Sequence, residues 1–281
     1  MKLPFQIDCK DKVVVITGAG GVLCGMFAKA VAKTGAKVAL LDLNQAAAQK
    51  YADEILIDGG QAKAYQCNVL EKESIQLAHD QIINDLGTCD ILINGAGGNS
   101  PKATTDNETF HLEDLGTIKT FFDLDQKDVE FVFNLNFIGT LLPTQIFALD
   151  MANKEGATII NISSMNAFTP LTKILAYSGA KAAVSNFTQW LAVHFSDVGI
   201  RCNAIAPGFF STEQNSKLLF NEDGTPTQRT AKILAGTPMN RFGEPEELIG
   251  TLLYLMSQDA SGFVNGVVIP VDGGYNAYSG V

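Results

Sequence analysis

The 281-residue chain reads as an α/β protein: a doubly wound parallel sheet of about seven strands with helices on both faces, in one domain over residues 1–281. Three observations predict it. Short β-branched runs, apolar on both faces, alternate with segments of helical periodicity, the pattern of strands covered on both sides. Two of those strands run directly into small-residue turns, Gly18-Ala19-Gly20-Gly21 and Gly95-Ala96-Gly97-Gly98. A hydrophobic content of 46% over this length is enough to bury one full core.

The first strand is Lys12 to Thr17, and it enters the glycine-rich stretch Gly18 to Gly25. Met26 to Lys33 has helical periodicity and stops at Gly35, a C-cap position. Lys37 to Asp42 is a second strand ending in an acid. Together these form a βαβ unit of Rossmann type, about 30 residues long, with the glycines where a pyrophosphate would sit on the helix N-terminus. Asp42 follows where a carboxylate accepts both hydroxyls of an adenosine ribose and repels a 2′-phosphate. Since no Arg or Lys in the glycine loop or just after Asp42 could receive such a phosphate, NAD(H) is favoured over NADP(H).

The alternation continues with a strand at Ala62 to Val69, an amphipathic helix at Glu71 to Leu86 and a strand at Cys89 to Asn94. Residues 99–125 are long, polar and broken by Pro101 and Gly116, and read as a lid-like insertion. Asp128 to Met151 is helical in character despite Pro143, and carries Asn134 and Asn136 where a buried amide needs a partner. Thr158 to Ile162 is a buried strand, a long helix runs on to Phe195, and Ile200 to Ala206 is strand six. A second lid-like insertion covers about 209–236, with a turn at Asn221-Glu222-Asp223-Gly224. Glu246 to Met256 is amphipathic, and Gly266 to Val271 is the last strand.

Ser164, Tyr177 and Lys181 make chemical sense together. Tyr177 and Lys181, four residues apart on a helix, share a face, and an ammonium beside a phenol favours the phenolate. Ser164 lies at the end of the Thr158 to Ile162 strand, so its hydroxyl and the phenol could hold one carbonyl oxygen between them. Taken singly, the pair is an ordinary surface pair and the serine an ordinary turn residue. Beside a hydride carrier, the three become a proton-transfer site.

Composition excludes several other classes. With 20 Lys and Arg against 30 Asp and Glu, the net charge is −10, which argues against a nucleic-acid groove or an anionic membrane surface. The first residues, MKLPFQIDCKDK, lack the apolar core of a signal peptide, and no long apolar run is evident, so a cytoplasmic protein is expected. The five cysteines are scattered, without a CxxC pair, as suits reduced core thiols. His79, His111 and His194 show no metal-ligand spacing, so no metal is expected.

As a set, these residues resemble the short-chain dehydrogenase/reductase family. Thr17 to Cys24, Asn94-Gly95-Ala96-Gly97, Asn136, Ser164, Tyr177-x3-Lys181, Pro207-Gly208 with Thr212, and Val271-Asp272-Gly273-Gly274 stand in the family's order, from about Lys12 to Gly274. The resemblance implies that Tyr177 is the acid/base and that Lys181 lowers its pKa and holds the nicotinamide ribose. By the same likeness, Ser164 polarises the substrate carbonyl and Asn136 anchors a relay water. It further implies that the cofactor meets Gly18, Gly20, Gly21, Val22 and Leu23 in the first loop, then Asp42 and Leu43, Asn68 and Val69, and Asn94, Ala96 and Gly97. Pro207, Gly208 and Thr212 complete that set. The chain departs from the family at Val22 and Cys24, where glycine is usual, at Asn68, where Asp is usual, and in the longer span from Asn94 to Asn136. Homotetramers are the assembly the family implies.

Within the family the longer strings GGVLCG, PKATTDNETF, NISSMNAFTPLTK and NAYSGV are most similar to D-mannonate oxidoreductases, also called fructuronate reductases, and next to gluconate 5-dehydrogenases. A sugar acid is then the expected substrate, met by Gly98, Ser164, Met165 and Asn166; of the cations available for its carboxylate, Lys102, Lys173 and Arg241, Lys102 or Lys173 is expected to read it. A 3-oxoacyl-carrier-protein reductase would want a basic docking patch, which a chain at −10 does not offer. A nucleotide-sensing protein without turnover is the non-enzymatic alternative, and it has no need of the four catalytic residue types.

Overall fold

Seven strands form one sheet in the order β3-β2-β1-β4-β5-β6-β7, every neighbouring pair parallel. The computed structural model describes residues 7–211, 219, 221, 225 and 227–280. The strands are β1 (Val13–Thr17), β2 (Lys37–Asp42), β3 (Gln61–Gln66), β4 (Ile91–Asn94), β5 (Thr158–Ile162), β6 (Arg201–Pro207) and β7 (Val268–Val271). The order reverses between β1 and β4, so the turns that follow these two strands flank the crevice where doubly wound sheets bind ligands.

Strand alternation divides the apolar side chains between two cores. Val14 and Ile16 of β1, with Val38 and Leu40 of β2, pack on α1 (Val22–Ala32), α2 (Gln45–Ile57) and the later helix Ile249–Met256. Val13 and Val15, with Ala39 and Leu41, pack on α3 (Lys72–Asp85), α5 (Gly139–Met151) and α6 (Leu175–His194). Both faces are buried, and the near-continuous Val and Ile runs are the sequence form of that arrangement.

The expected helix at Met26 begins earlier, at Val22, with Gly21 as its extended N-cap. Gly25 is therefore a helical residue rather than part of the loop, and it is glycine because a side chain there would overlap the Tyr51 ring. β3 ends at Gln66, which leaves Cys67, Asn68 and Val69 off the ladder at the edge of the crevice. The 99–125 insertion contains short 3-10 turns at Pro101–Ala103, Leu112–Asp114 and Phe121–Asp123, the first and last capped by the Ser100 and Thr120 hydroxyls.

The apolar helix expected over 128–151 is broken into α4 (Gln126–Phe133), a π turn at Asn134–Ile138 and α5. Single π turns inside helices are rare and concentrate at functional sites. Over its 26 residues, Gln126–Met151 is long and apolar enough by length and composition to cross a membrane, but half of its apolar 18-residue stretch is buried inside the protein. The burial includes Asn136, Thr140 and Thr144, a polar strip turned toward the sheet and the crevice rather than outward.

Candidate active site

At the carboxyl ends of β1, β4 and β5 lies a cleft of about 990 Å³. Its wall begins at Gly18, Gly21, Val22 and Leu23, passes Asp42, Leu43, Asn68 and Val69, and continues along Ala96, Gly97 and Gly98. It closes on Ser164, Met165, Asn166 and Tyr177, with Gly208 on the far side. Most of the residues singled out in the sequence therefore meet on one surface. Thr212, also singled out, lies outside the described residues, as do Glu222, Asp223 and Gly224.

The first loop is built for close backbone approach. Gly18 has φ +68°, and a Cβ on it would stand 2.8 Å from the Ala96 backbone. Gly20 is not among the lining residues; it donates its N–H to Asp42 Oδ2 at 2.9 Å, while Asn44 N–H bonds Asp42 Oδ1 at 2.8 Å. The two amides fix the carboxylate and leave it free acceptor positions. The departure at Cys24 is absorbed by the fold: its thiol is buried against Gly95, where any side chain would overlap the sulfur. Gly95 thus supplies the space that glycine at position 24 would otherwise give. At Asn68, the side chain is held by Glu71 and by the Leu70 N–H, at 2.8 and 3.1 Å.

Behind the wall runs a chain of buried amides and hydroxyls. Asn94 donates to Thr144 Oγ1 and Asn161 Oδ1, both at 2.9 Å, and Asn161 donates to Thr188 Oγ1 at 2.9 Å. Asn94 is only 1% exposed, so it braces the floor rather than lining it. Asn161, Thr144 and Thr188 were missed by sequence reading, although an asparagine within the apolar strand TIINI signals a buried partner. Pro207, at the end of β6, is likewise buried behind Gly208.

The catalytic candidates lie at the other end of the cleft. Ser163 and Ser164 are adjacent but separate in role: Ser163 bonds Ser185 Oγ at 2.7 Å in the interior, whereas Ser164 lines the cleft beside Tyr177. Burial raises the Tyr177 phenol above its ordinary value, and a hydrogen bond with the Ser164 hydroxyl pulls it partly back. Lys181, one turn along α6, is 4% exposed; its Nζ donates to the Ile162 carbonyl at 2.7 Å and lies 5.6 Å from the Tyr177 ring centre. Burial lowers its pKa to about 8, so the ammonium still predominates at neutral pH but is lost well below the range of an ordinary lysine. Asn136, fully buried in the π turn, bonds the Gly98 peptide in both directions. A Cβ on Gly97 would fall 3.2 Å from Lys181 Nζ, so that glycine lets the loop close over both residues.

The cations proposed for a carboxylate are placed less favourably. Lys102 and Lys173 are exposed and do not line the cleft, although Pro101, Thr104, Leu171 and Ile174 beside them do. Arg241 is held by Glu247 in a two-pronged pair at 2.6 and 2.7 Å. Arg229, which sequence reading missed, does line the cleft. Asn166, 4% exposed on the same wall, has an amide oxygen without a hydrogen-bond partner.

These residues fit a nicotinamide dinucleotide. The free N–H groups at the start of α1 suit a pyrophosphate, the Asp42 carboxylate suits a ribose diol, and the wall from Gly95 to Gly98 leads to the serine, tyrosine and lysine. Fold and site together define an NAD(P)-dependent dehydrogenase acting on a CH–OH group. The chain belongs to the short-chain dehydrogenase/reductase family, whose model described as enoyl-(acyl carrier protein) reductase matches residues 23–276. An uncharacterized oxidoreductase of Haemophilus influenzae is 66% identical over 100% of this chain and 99% of its own. A Haemophilus influenza crystal structure with bound NAD, provisionally named a D-mannonate oxidoreductase, is 66% identical and has a TM-score of 0.95, covering 98% of each chain. The uncharacterized oxidoreductase UxuB of Bacillus subtilis is 49% identical over 99% of this chain and 100% of its own.

Proposed function

We propose that this protein is an NAD(H)-dependent oxidoreductase that interconverts a secondary alcohol and a ketone on a sugar acid, with D-mannonate and D-fructuronate as the pair. The observation that carries the substrate reading is the near-identical fold, at 66% identity, of a protein provisionally named for D-mannonate. The preference for NAD(H) over NADP(H) rests on Asp42, which puts a negative charge where a 2′-phosphate would lie, with exposed Leu43 beside it.

When bound, the nicotinamide supplies or accepts the hydride. In reduction Tyr177 donates a proton to the substrate oxygen while the Ser164 hydroxyl donates a second hydrogen bond to it; in oxidation Tyr177 takes the proton back. Lys181 as ammonium favours the phenolate and holds the nicotinamide ribose. Asn136 has both amide hydrogens in use, at Gly98 and Val132, so it anchors a relay water through an oxygen lone pair rather than as a donor. Asn166 has an unpaired amide oxygen that a sugar hydroxyl would satisfy. Gly98 and Met165 complete the substrate wall, and the insertions at 99–125 and 209–236 act as its lids.

The protein acts on a small molecule in the cytoplasm, within a single domain, as a homotetramer. Exposed apolar residues support such an assembly: Trp190 and Val193 on α6, and Phe263 ahead of β7. Its charge balance gives no support to nucleic-acid or membrane binding. The test is a panel of hexuronates, 5-keto-D-gluconate and aldonates, each with NADH, NAD, NADPH and NADP. Turnover of D-fructuronate with NADH and of D-mannonate with NAD is expected; activity confined to neutral ketones or to acyl thioesters contradicts the proposal.

A further inference from the structure

We infer that Arg229 is the residue that reads the substrate carboxylate, a reading that rests on the sugar-acid function proposed above. Arg229 lies in α7 (Gln228–Ala235), whose N-cap is Thr227. Arg229 and Ile233, four residues apart, both line the cleft that holds Ser164 and Tyr177. Lys232 pairs with Glu108 of the 99–125 insertion at 2.7 Å, joining α7 to that insertion. Arg229 is exposed, as Lys102 and Lys173 are, but unlike them it lines the cleft.

Every other cation considered for the carboxylate is engaged or displaced. Arg241 is bound by Glu247, and Lys232 by Glu108. Lys119 donates to the carbonyls of Pro101 and Lys102. Lys173 and Lys102 stand off the wall, the former close enough to Glu108 to stabilise its ionised form. Lys181 is committed to the Ile162 carbonyl behind the phenol. Among the described residues, Arg229 is the basic side chain that lines the cleft, and no hydrogen bond or ion pair engages it. A guanidinium presents two parallel N–H groups to a carboxylate, which fixes orientation as well as affinity. Asp42, the acid on the same wall, sits at the ribose end and does not compete for it.

The test compares D-fructuronate with its neutral amide in wild type, Arg229→Met and Arg229→Lys. Arg229→Met is expected to raise KM for the acid about 10- to 100-fold, the range of a charge-assisted hydrogen bond, with the amide changed by less than about threefold. Arg229→Lys should recover part of the loss, and cofactor affinity should not move. Equal losses on both substrates, or none, overturn the assignment. A second measurement separates it from the substrate reading: calorimetric titration of NAD-loaded Tyr177→Phe enzyme with D-gluconate, with and without Arg229→Met. Gluconate binding that disappears with Arg229→Met upholds the arginine even if D-fructuronate is not reduced, which overturns only the substrate reading. Absent binding, or binding indifferent to Arg229→Met, overturns the arginine.

Discussion

The Asn136 side chain and the Gly98 peptide are bonded twice: Asn136 Nδ2 donates to the Gly98 carbonyl at 2.8 Å, and the Gly98 N–H donates to Asn136 Oδ1 at 3.1 Å. The second amide hydrogen goes to the Val132 carbonyl at 2.7 Å. This clamp ties the π turn to the loop after β4, and through Gly97 it touches the surroundings of Lys181. Replacing Asn136 with Ala removes all three hydrogen bonds, the one to the Val132 carbonyl fully buried and the two to Gly98 partly so. The expected cost is about 1–3 kcal/mol in urea unfolding, with kcat lowered roughly 100-fold because the loop no longer holds its position. An Asn136→Ala enzyme with wild-type kcat contradicts the role assigned to the clamp.

Asp42 is expected to set cofactor choice by charge. Asp42→Asn removes the negative charge and keeps one of the two oxygens that accept from the Gly20 and Asn44 amides. The ratio of kcat/KM with NADH to that with NADPH should fall about 10- to 100-fold, the scale of one charge-assisted contact. A ratio that does not move shows that the preference is set elsewhere.

Lys181 links stability to pH. Its pKa is about 8 in the folded protein against an ordinary 10.5, so between those values the unfolded chain holds a proton that the folded chain lacks. Stability therefore rises with pH across that window, relative to Lys181→Met, by up to about 1.4 kcal/mol per pH unit. Below pH 8 both states are protonated and the difference is constant. Urea midpoints of the two proteins between pH 7 and 10.5 check the sign; a difference that stays flat or falls contradicts the buried lysine.

What could be read in the chain was chemistry carried by neighbours in sequence. Strand, glycine loop, helix and terminal acid are contiguous, so the dinucleotide end was legible down to Asp42, and Tyr177 and Lys181 declared themselves by helical spacing. Properties that depend on packing were not legible. The depressed pKa of Lys181 comes from burial beneath the loop after β4, and the fit of Cys24 comes from a glycine 71 residues away. A continuous apolar period hid the π turn that brings Asn136 under Gly98. Arg229 was overlooked for the same kind of reason. It sits in a long polar excursion, and only the folded arrangement brings it to the cleft beside Ile233.

Tyr177 as the proton donor to a sugar-acid ketone is tested most directly by the initial rate of NADH oxidation with D-fructuronate, measured side by side for wild type and Tyr177→Phe. Steady turnover by wild type is expected, with a loss of at least about 100-fold in kcat for Tyr177→Phe, the contribution of a positioned general acid, and NADH affinity preserved. Wild-type enzyme that leaves D-fructuronate unreduced, or a Tyr177→Phe variant that reduces it at a comparable rate, contradicts that assignment.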